Sequence, residues 1–142
     1  MKFAVIGLGS FGTKRAQSIK NSKLANLVAI HDTSHENAQK ASKLLDVPIL
    51  KYDQILKDES IDVVCICAPN KFHKEIIIDS LKAEKHVFCE KPISINLQEA
   101  NEMIKACKKN NVDLFITKKP EEAVKDADCV MTDKWVSMND KV

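Results

Sequence analysis

Lys2-Phe3-Ala4-Val5-Ile6 runs directly into Gly7-Leu8-Gly9-Ser10-Phe11-Gly12, and no other stretch limits the folds open to this chain so strongly. An apolar run of this length reads as a strand. The glycines punctuate the turn out of it, and Thr13 to Lys20 has helical composition. A second apolar run, Leu27-Val28-Ala29-Ile30, follows, and Asp32 stands twenty residues beyond Gly12. Strand, glycine loop, helix, strand and acid in this order form the dinucleotide-binding fingerprint in its proper context.

Each residue of that pattern has a physical task. Gly7 permits the tight turn, Gly9 lets a pyrophosphate approach the backbone, and Gly12 allows close helix packing. Ser10 and Phe11 complete the loop and join it as candidate cofactor contacts, because the N–H groups that open a helix attract phosphate. Asp32 accepts hydrogen bonds from the adenosine ribose and repels a 2′-phosphate, so the expected cofactor is NAD. Arg15 and the nearby lysines leave NADP admissible.

The rest of the chain extends the alternation. Strands are expected at 2–6, 26–31, 61–67, 86–89 and 112–116, with a short one at 48–50. Helices are expected at 11–21, 36–45 with Ser34 as N-cap, 72–83 and 97–109, with a brief helix or turn at 53–58. Ile61 to Cys67 is almost continuously apolar, which suits a central parallel strand buried on both faces. The predicted architecture is α/β, a single doubly wound parallel sheet of Rossmann type.

Composition narrows the partners. A net charge of +2 is too small to imply nucleic acid or a membrane surface, and no apolar run approaches a membrane span. Five cysteines without a secretion signal point to reduced thiols and a cytoplasmic location. Cys65 and Cys67 share one strand face and read as core residues. No His, Cys or acid spacing fits a metal site, so no metal is expected.

At Ala68-Pro69-Asn70, His73 and His86-Val87-Phe88-Cys89-Glu90-Lys91-Pro92, the sequence resembles the N-terminal domain of the Gfo/Idh/MocA oxidoreductases. With Gly7, Gly9, Gly12 and Asp32, the resemblance spans residues 1 to about 116. It implies hydride transfer between a nicotinamide cofactor and a carbinol carbon of a sugar, cyclitol or similar small molecule. It places Lys91 beside the reacting carbon as the catalytic residue, with Glu90 holding it and Pro92 stiffening the turn. A lysine at the C-terminal end of a strand lies where open α/β sheets bind ligands. Ala68, Pro69 and Asn70 would line the nicotinamide ribose side. His73 is either a neighbour of the cofactor or a helix-start histidine facing water. Ala83-Glu84-Lys85 departs from the Ala-Gly-Lys turn usual in the family.

Residues 117–142 carry a second resemblance, to ornithine carbamoyltransferase, through Thr117 to Val124, Ala127 to Asp133, Trp135, Ser137 and Met138. The sequence therefore reads as a fusion of a Rossmann unit, 1–116, with a helix–strand extension, 117–142, in which Pro120 starts a helix that Glu121 to Asp126 continue and Cys129 to Thr132 is strand-like. Within these 142 residues neither a carbamoyl-phosphate loop nor the family's substrate domain is expected. The expectation is a dinucleotide-binding oxidoreductase domain that is incomplete for catalysis. A non-catalytic dinucleotide-binding module and a carbamoyltransferase fragment are the alternatives.

Overall fold

The computed structural model describes residues 1–112 and 114–126. The chain divides into two units, Met1–Val112 and Asp113–Val142. The first is built from β1 (Lys2–Ile6), α1 (Ser10–Asn21), β2 (Asn26–His31), α2 (His35–Leu45), α3 (Tyr52–Lys57), β3 (Val63–Ile66), α4 (His73–Lys82), β4 (His86–Cys89) and α5 (Leu97–Lys109). A 3-10 turn, Asn70–Phe72, leads into α4.

All four strands are parallel, in the order β2-β1-β3-β4. The chain moves outward from β1 to one side for β2, then crosses to the other side for β3 and β4. Side chains alternate between two apolar layers, as the two-residue period of a strand requires. Ala4 and Ile6 of β1 and Val64 and Ile66 of β3 pack with Ile76, Ile77 and Leu81 of α4 and Met103 of α5. Val5 and Cys65 face the opposite way, onto Ala16 of α1 and Ala38, Ala41 and Leu45 of α2. Helices on both faces make this the doubly wound Rossmann-like sheet that the alternation of elements predicted.

The ends of the elements follow from local chemistry. Ser34 caps α2 by accepting from the Asn37 N–H at 3.3 Å, and Asn96 caps α5 by accepting from the Glu99 N–H at 2.9 Å. At the end of α4, the Lys85 N–H donates to the Ser80 carbonyl at 3.0 Å and the Glu84 N–H to the Leu81 carbonyl at 3.1 Å. This is the Schellman pair of bonds, and it sets Glu84 in the left-handed region at φ 57°. A side chain there carries a steric cost that glycine avoids. Glu84→Gly is expected to stabilise the fold by about 0.5–1 kcal/mol, after allowing for glycine's greater unfolded-state freedom. A higher urea midpoint with an unchanged slope would bear this out.

Three expectations need correction. The strand expected at 48–50 is a single bridge, Ile30 to Ile49, because Pro48 has no N–H to extend a ladder. No strand forms at residues 112 and 114–116. The Val112 N–H is spent on the Cys107 carbonyl at 2.9 Å, closing α5, and Leu114, Phe115 and Ile116 are exposed. In the second unit, Pro120 opens a helix at its first position as expected, but α6 (Pro120–Ala123) stops short of Asp126. The strand expected at 129–132, and Asp133, Trp135, Ser137 and Met138, lie outside the described residues.

Candidate functional site: a cleft at the carboxyl ends of the strands

The β1/β3 border is where the winding direction reverses, and the loops leaving all four strands gather at its carboxyl end. Backbone bonds extend the sheet one residue into each neighbouring loop. The Gly7 N–H donates to the His31 carbonyl at 2.9 Å, Cys67 to Ile6 at 2.8 Å, and Glu90 to Ile66 at 3.0 Å. The start of each loop is thus as fixed as the sheet itself.

The three glycines are used differently. Gly7 has φ 93°, and a Cβ on it would lie 2.5 Å from the Ala68 nitrogen, so both conformation and space demand glycine. A Cβ on Gly12 would overlap the Gly7 carbonyl oxygen, so α1 packs onto the loop itself as well as toward the sheet. Gly9 is different: nothing lies within 4 Å of where its Cβ would be. It leaves open the space directly before α1, whose first N–H groups face outward.

Asp32 lies just past β2 and is locked by two backbone donors. Its Oδ2 accepts from the Leu8 N–H at 2.6 Å, and its Oδ1 accepts from the Ser34 N–H at 2.7 Å. Each carboxylate oxygen keeps a second lone pair for an incoming hydroxyl. Around it opens a cleft of about 730 Å³ that also takes in Gly7, Gly9, Ala68, Pro69 and Tyr52. Burial, and then the neighbouring Asp79 carboxylate, push the Tyr52 phenol above its ordinary value. Tyr52 therefore keeps its proton and donates to Asp79 at 3.2 Å.

A smaller recess of about 200 Å³ adjoins, lined by Phe11, Cys67, Ala68, Asn70, His73, Glu90 and Lys91. His73 is buried, with Nε2 2.7 Å from the Ala68 carbonyl oxygen and Nδ1 3.1 Å from that of Pro92. The water-facing alternative for His73 is therefore wrong: the ring ties the β3 loop to the segment carrying Lys91. Glu90 is buried too, and its carboxylate accepts from Arg15 Nε at 2.9 Å and from the Arg15 NH2 group. The sequence did not indicate this partner. Arg15 also lies over the Phe88 ring at 5.2 Å and the Phe11 ring at 5.9 Å. Its guanidinium is committed to Glu90 through Nε and one terminal nitrogen. Lys91 is exposed at the rim, and the Lys91–Pro92 peptide is cis.

Cys67 also departs from its reading as a core residue, because it lines both recesses. Sequence reasoning passed over Thr33, Ser34, Asn37, Tyr52, Phe72 and Glu75, which line the large cleft. They come from the β2–α2 turn, α2, α3, the 3-10 turn and α4, and only the sheet order brings those segments together. Among the described residues, no three His, Cys, Asp or Glu side chains gather as a metal site, and no helix is long and apolar enough to cross a membrane.

Residues 1–118 match the family model described as the GFO/IDH/MocA oxidoreductase family, NAD-binding Rossmann fold. The chain is 38% identical over 117 residues to a myo-inositol 2-dehydrogenase of Thermotoga maritima, covering 81% of this chain and 35% of that protein. It is 32% identical over 113 residues to a 2,7-anhydro-N-acetylneuraminate hydratase of Escherichia coli, covering 79% of this chain and 30% of that one. The crystal structure of a scyllo-inositol dehydrogenase from Lactobacillus casei with bound NAD(H) and scyllo-inositol superposes with a TM-score of 0.72 at 29% identity, over 79% of this chain and 34% of that one. The chain thus spans about a third of the length of these relatives. The comparisons lend no support to the resemblance of residues 117–142 to ornithine carbamoyltransferase.

Proposed function

Since the chain belongs to the GFO/IDH/MocA oxidoreductase family, we propose that it is the dinucleotide-binding unit of an oxidoreductase acting on a sugar, cyclitol or similar polyol, with NAD preferred over NADP. The observation that carries this reading is the pairing of open space at Gly9 with a backbone-locked carboxylate at Asp32, on the two sides of one cleft. The residues present fit a dinucleotide. Gly9 and the N–H groups of Ser10 and Phe11 would take the pyrophosphate. Asp32 would take the ribose hydroxyls. Ala68, Pro69 and Asn70 would flank the nicotinamide ribose, with Phe11 and His73 at the smaller recess. The cofactor, when bound, supplies hydride transfer.

Lys91 would hold the proton of a substrate hydroxyl through its Nζ, with Glu90 and His73 fixing its loop. Positioning a substrate contributes up to about 7–11 kcal/mol in well-oriented cases. With Lys91 exposed at the rim, the described residues supply one wall for that task. The 142-residue chain by itself is therefore expected to bind NADH while oxidising polyols and sugars below detection. Robust NADH production that Lys91→Ala abolishes would show that the unit suffices. The same exposure of Lys91 favours, as the second reading, a module that binds dinucleotide without turnover.

Cofactor choice is tested by measuring NADH and NADPH dissociation constants at one salt concentration. Asp32→Asn keeps an acceptor but loses the charge. It is expected to weaken NADH by about 1.5–3 kcal/mol, the worth of a charged hydrogen bond, and to narrow the gap to NADPH. Tighter NADPH than NADH binding by the unaltered chain would mean that Asp32 does not face the ribose.

A further inference from the structure

Cys67 stands where the two recesses meet. The residue lines the large cleft with Gly7, Gly9 and Asp32, and the smaller recess with Glu90 and Lys91. Its backbone is held by the 2.8 Å bond to Ile6, and its Cβ would be 3.0 Å from a Cβ on Gly12. The thiol therefore lies directly under the glycine loop. Cys67 lines both recesses, so a group added to its sulfur would take up space in them.

A second thiol adjoins it. Cys65 lies on the same face of the chain, with its Sγ 3.9 Å from the Cys67 Sγ. Cys65 is buried between the sheet and α1, while Cys67 is partly buried. The pair divides its roles accordingly. The hydrogen bond between them, reinforced by burial, pushes the Cys65 thiol up. The same bond brings the Cys67 thiol down; Arg15 acts with it, and burial and Glu90 act against it. Of the two thiols, ionisation is opposed at Cys65 and eased at Cys67. Burial pushes Cys89 up to about 12 and raises Cys107 as well. Among the described residues, thiolate reactivity concentrates at Cys67.

We propose that Cys67 is a thiol-modification site that closes the cleft: a low-molecular-weight disulfide reacts there, and the resulting mixed disulfide fills the place of the dinucleotide. The proposal rests on the reading of the cleft as a dinucleotide site. In the reaction, the Cys67 thiolate attacks one sulfur of the disulfide. A new S–S bond forms as the old one breaks, and the departing thiolate carries off the electron pair and takes a proton from water. The disulfide is the oxidant, and one small thiol is released for each adduct. Cys65, buried and protonated, does not displace the attached group, so the adduct persists until an external thiol reverses it.

The test treats the full chain with glutathione disulfide, maps adducts by peptide mass, and titrates NADH by nicotinamide fluorescence before and after. The expected result is an adduct at Cys67, NADH affinity reduced at least about tenfold, or about 1.4 kcal/mol, and recovery with dithiothreitol. Saturating NADH should slow adduct formation, and Cys65→Ala should slow it too by removing the donor to the thiolate. Cys67→Ser, compared with its own untreated form, should lose no NADH affinity on treatment. Peptide mapping separates Cys129, which lies outside the described residues. An adduct elsewhere with Cys67 intact would overturn the proposal. So would an adduct at Cys67 that leaves affinity unchanged, or a Cys65–Cys67 disulfide in place of the adduct. If the untreated chain fails to bind NADH, the cleft reading falls, and closure of a dinucleotide site falls with it. Binding by untreated chain that survives treatment sinks this proposal alone.

Discussion

Gly12→Val unfolds the phosphate loop, while Gly9→Val leaves the fold intact and abolishes dinucleotide binding. The two residues belong to one motif, yet their surroundings are opposite. A side chain at position 12 drives into the Gly7 carbonyl, which is backbone and itself pinned between β2 and Ala68. Overpacking against backbone costs about 3 kcal/mol or more, a large share of the roughly 5–15 kcal/mol that holds a domain together. At position 9 the backbone is extended, at φ −61° and ψ −176°, and the space for a Cβ is open. Valine fits there with a stability change within about 0.5 kcal/mol. Its methyls then occupy the space a pyrophosphate needs, and NADH affinity should fall at least about a hundredfold, or some 2.7 kcal/mol. Thermal unfolding by circular dichroism and an NADH titration on each variant separate the two effects. Equal melting of both variants would contradict the packing argument. Unchanged NADH affinity in Gly9→Val would place the dinucleotide elsewhere.

Arg15→Met is expected to destabilise the chain by about 2 kcal/mol. Glu90 is buried, and Arg15 is its partner through two guanidinium nitrogens. Removing one member of a buried pair leaves a carboxylate without compensation, at about 3–5 kcal/mol when both are fully buried. The Arg15 side chain is 32% exposed, so solvent screening reduces the figure. Methionine preserves the packing between Phe11 and Phe88 and isolates the loss of charge. Glu90→Gln in the Arg15→Met background should restore part of the stability, with a coupling of about 1–2 kcal/mol in the double-mutant cycle. Arg15→Lys should not substitute fully, since a lysine cannot offer two aligned donors to one carboxylate. Additive single-variant effects would mean that the pair contributes nothing. The same contact anchors the residue immediately before Lys91, so loss of Arg15 should also loosen the loop that presents the lysine.

Much of this was legible in the sequence, for identifiable reasons. The short apolar runs at 2–6, 26–31 and 86–89 gave strands with the expected ends, and Ser34 identified its own helix start. Gly7, Gly9, Gly12 and Asp32 fell together because their spacing encodes local geometry: one turn, one helix and one return strand. What failed depended on hydrogen-bond partners that hydrophobic patterning does not encode. Val112 to Ile116 looks like a strand to any reading of hydrophobicity, yet the Val112 N–H belongs to the end of α5. His73 looked equally suited to water or to the cofactor, and only the fold brings Pro92 to one side of the ring and Ala68 to the other. The Arg15–Glu90 pair joins residues seventy-five positions apart, and neither carries a local signal. Cys67 read as core because alternation places it with Cys65, but β3 ends at Ile66 and leaves Cys67 at the mouth of the cleft.

The central claim is that this chain holds a dinucleotide at the carboxyl ends of β1 and β2, with Asp32 on the adenosine ribose. The most direct measurement is a structure of the chain soaked with NADH. The account predicts the pyrophosphate over Gly9 at the start of α1 and a ribose hydroxyl within hydrogen-bond distance of an Asp32 carboxylate oxygen. A bound dinucleotide that leaves Gly9 open and does not touch Asp32, or a folded chain that takes up no dinucleotide at saturating concentration, would contradict it.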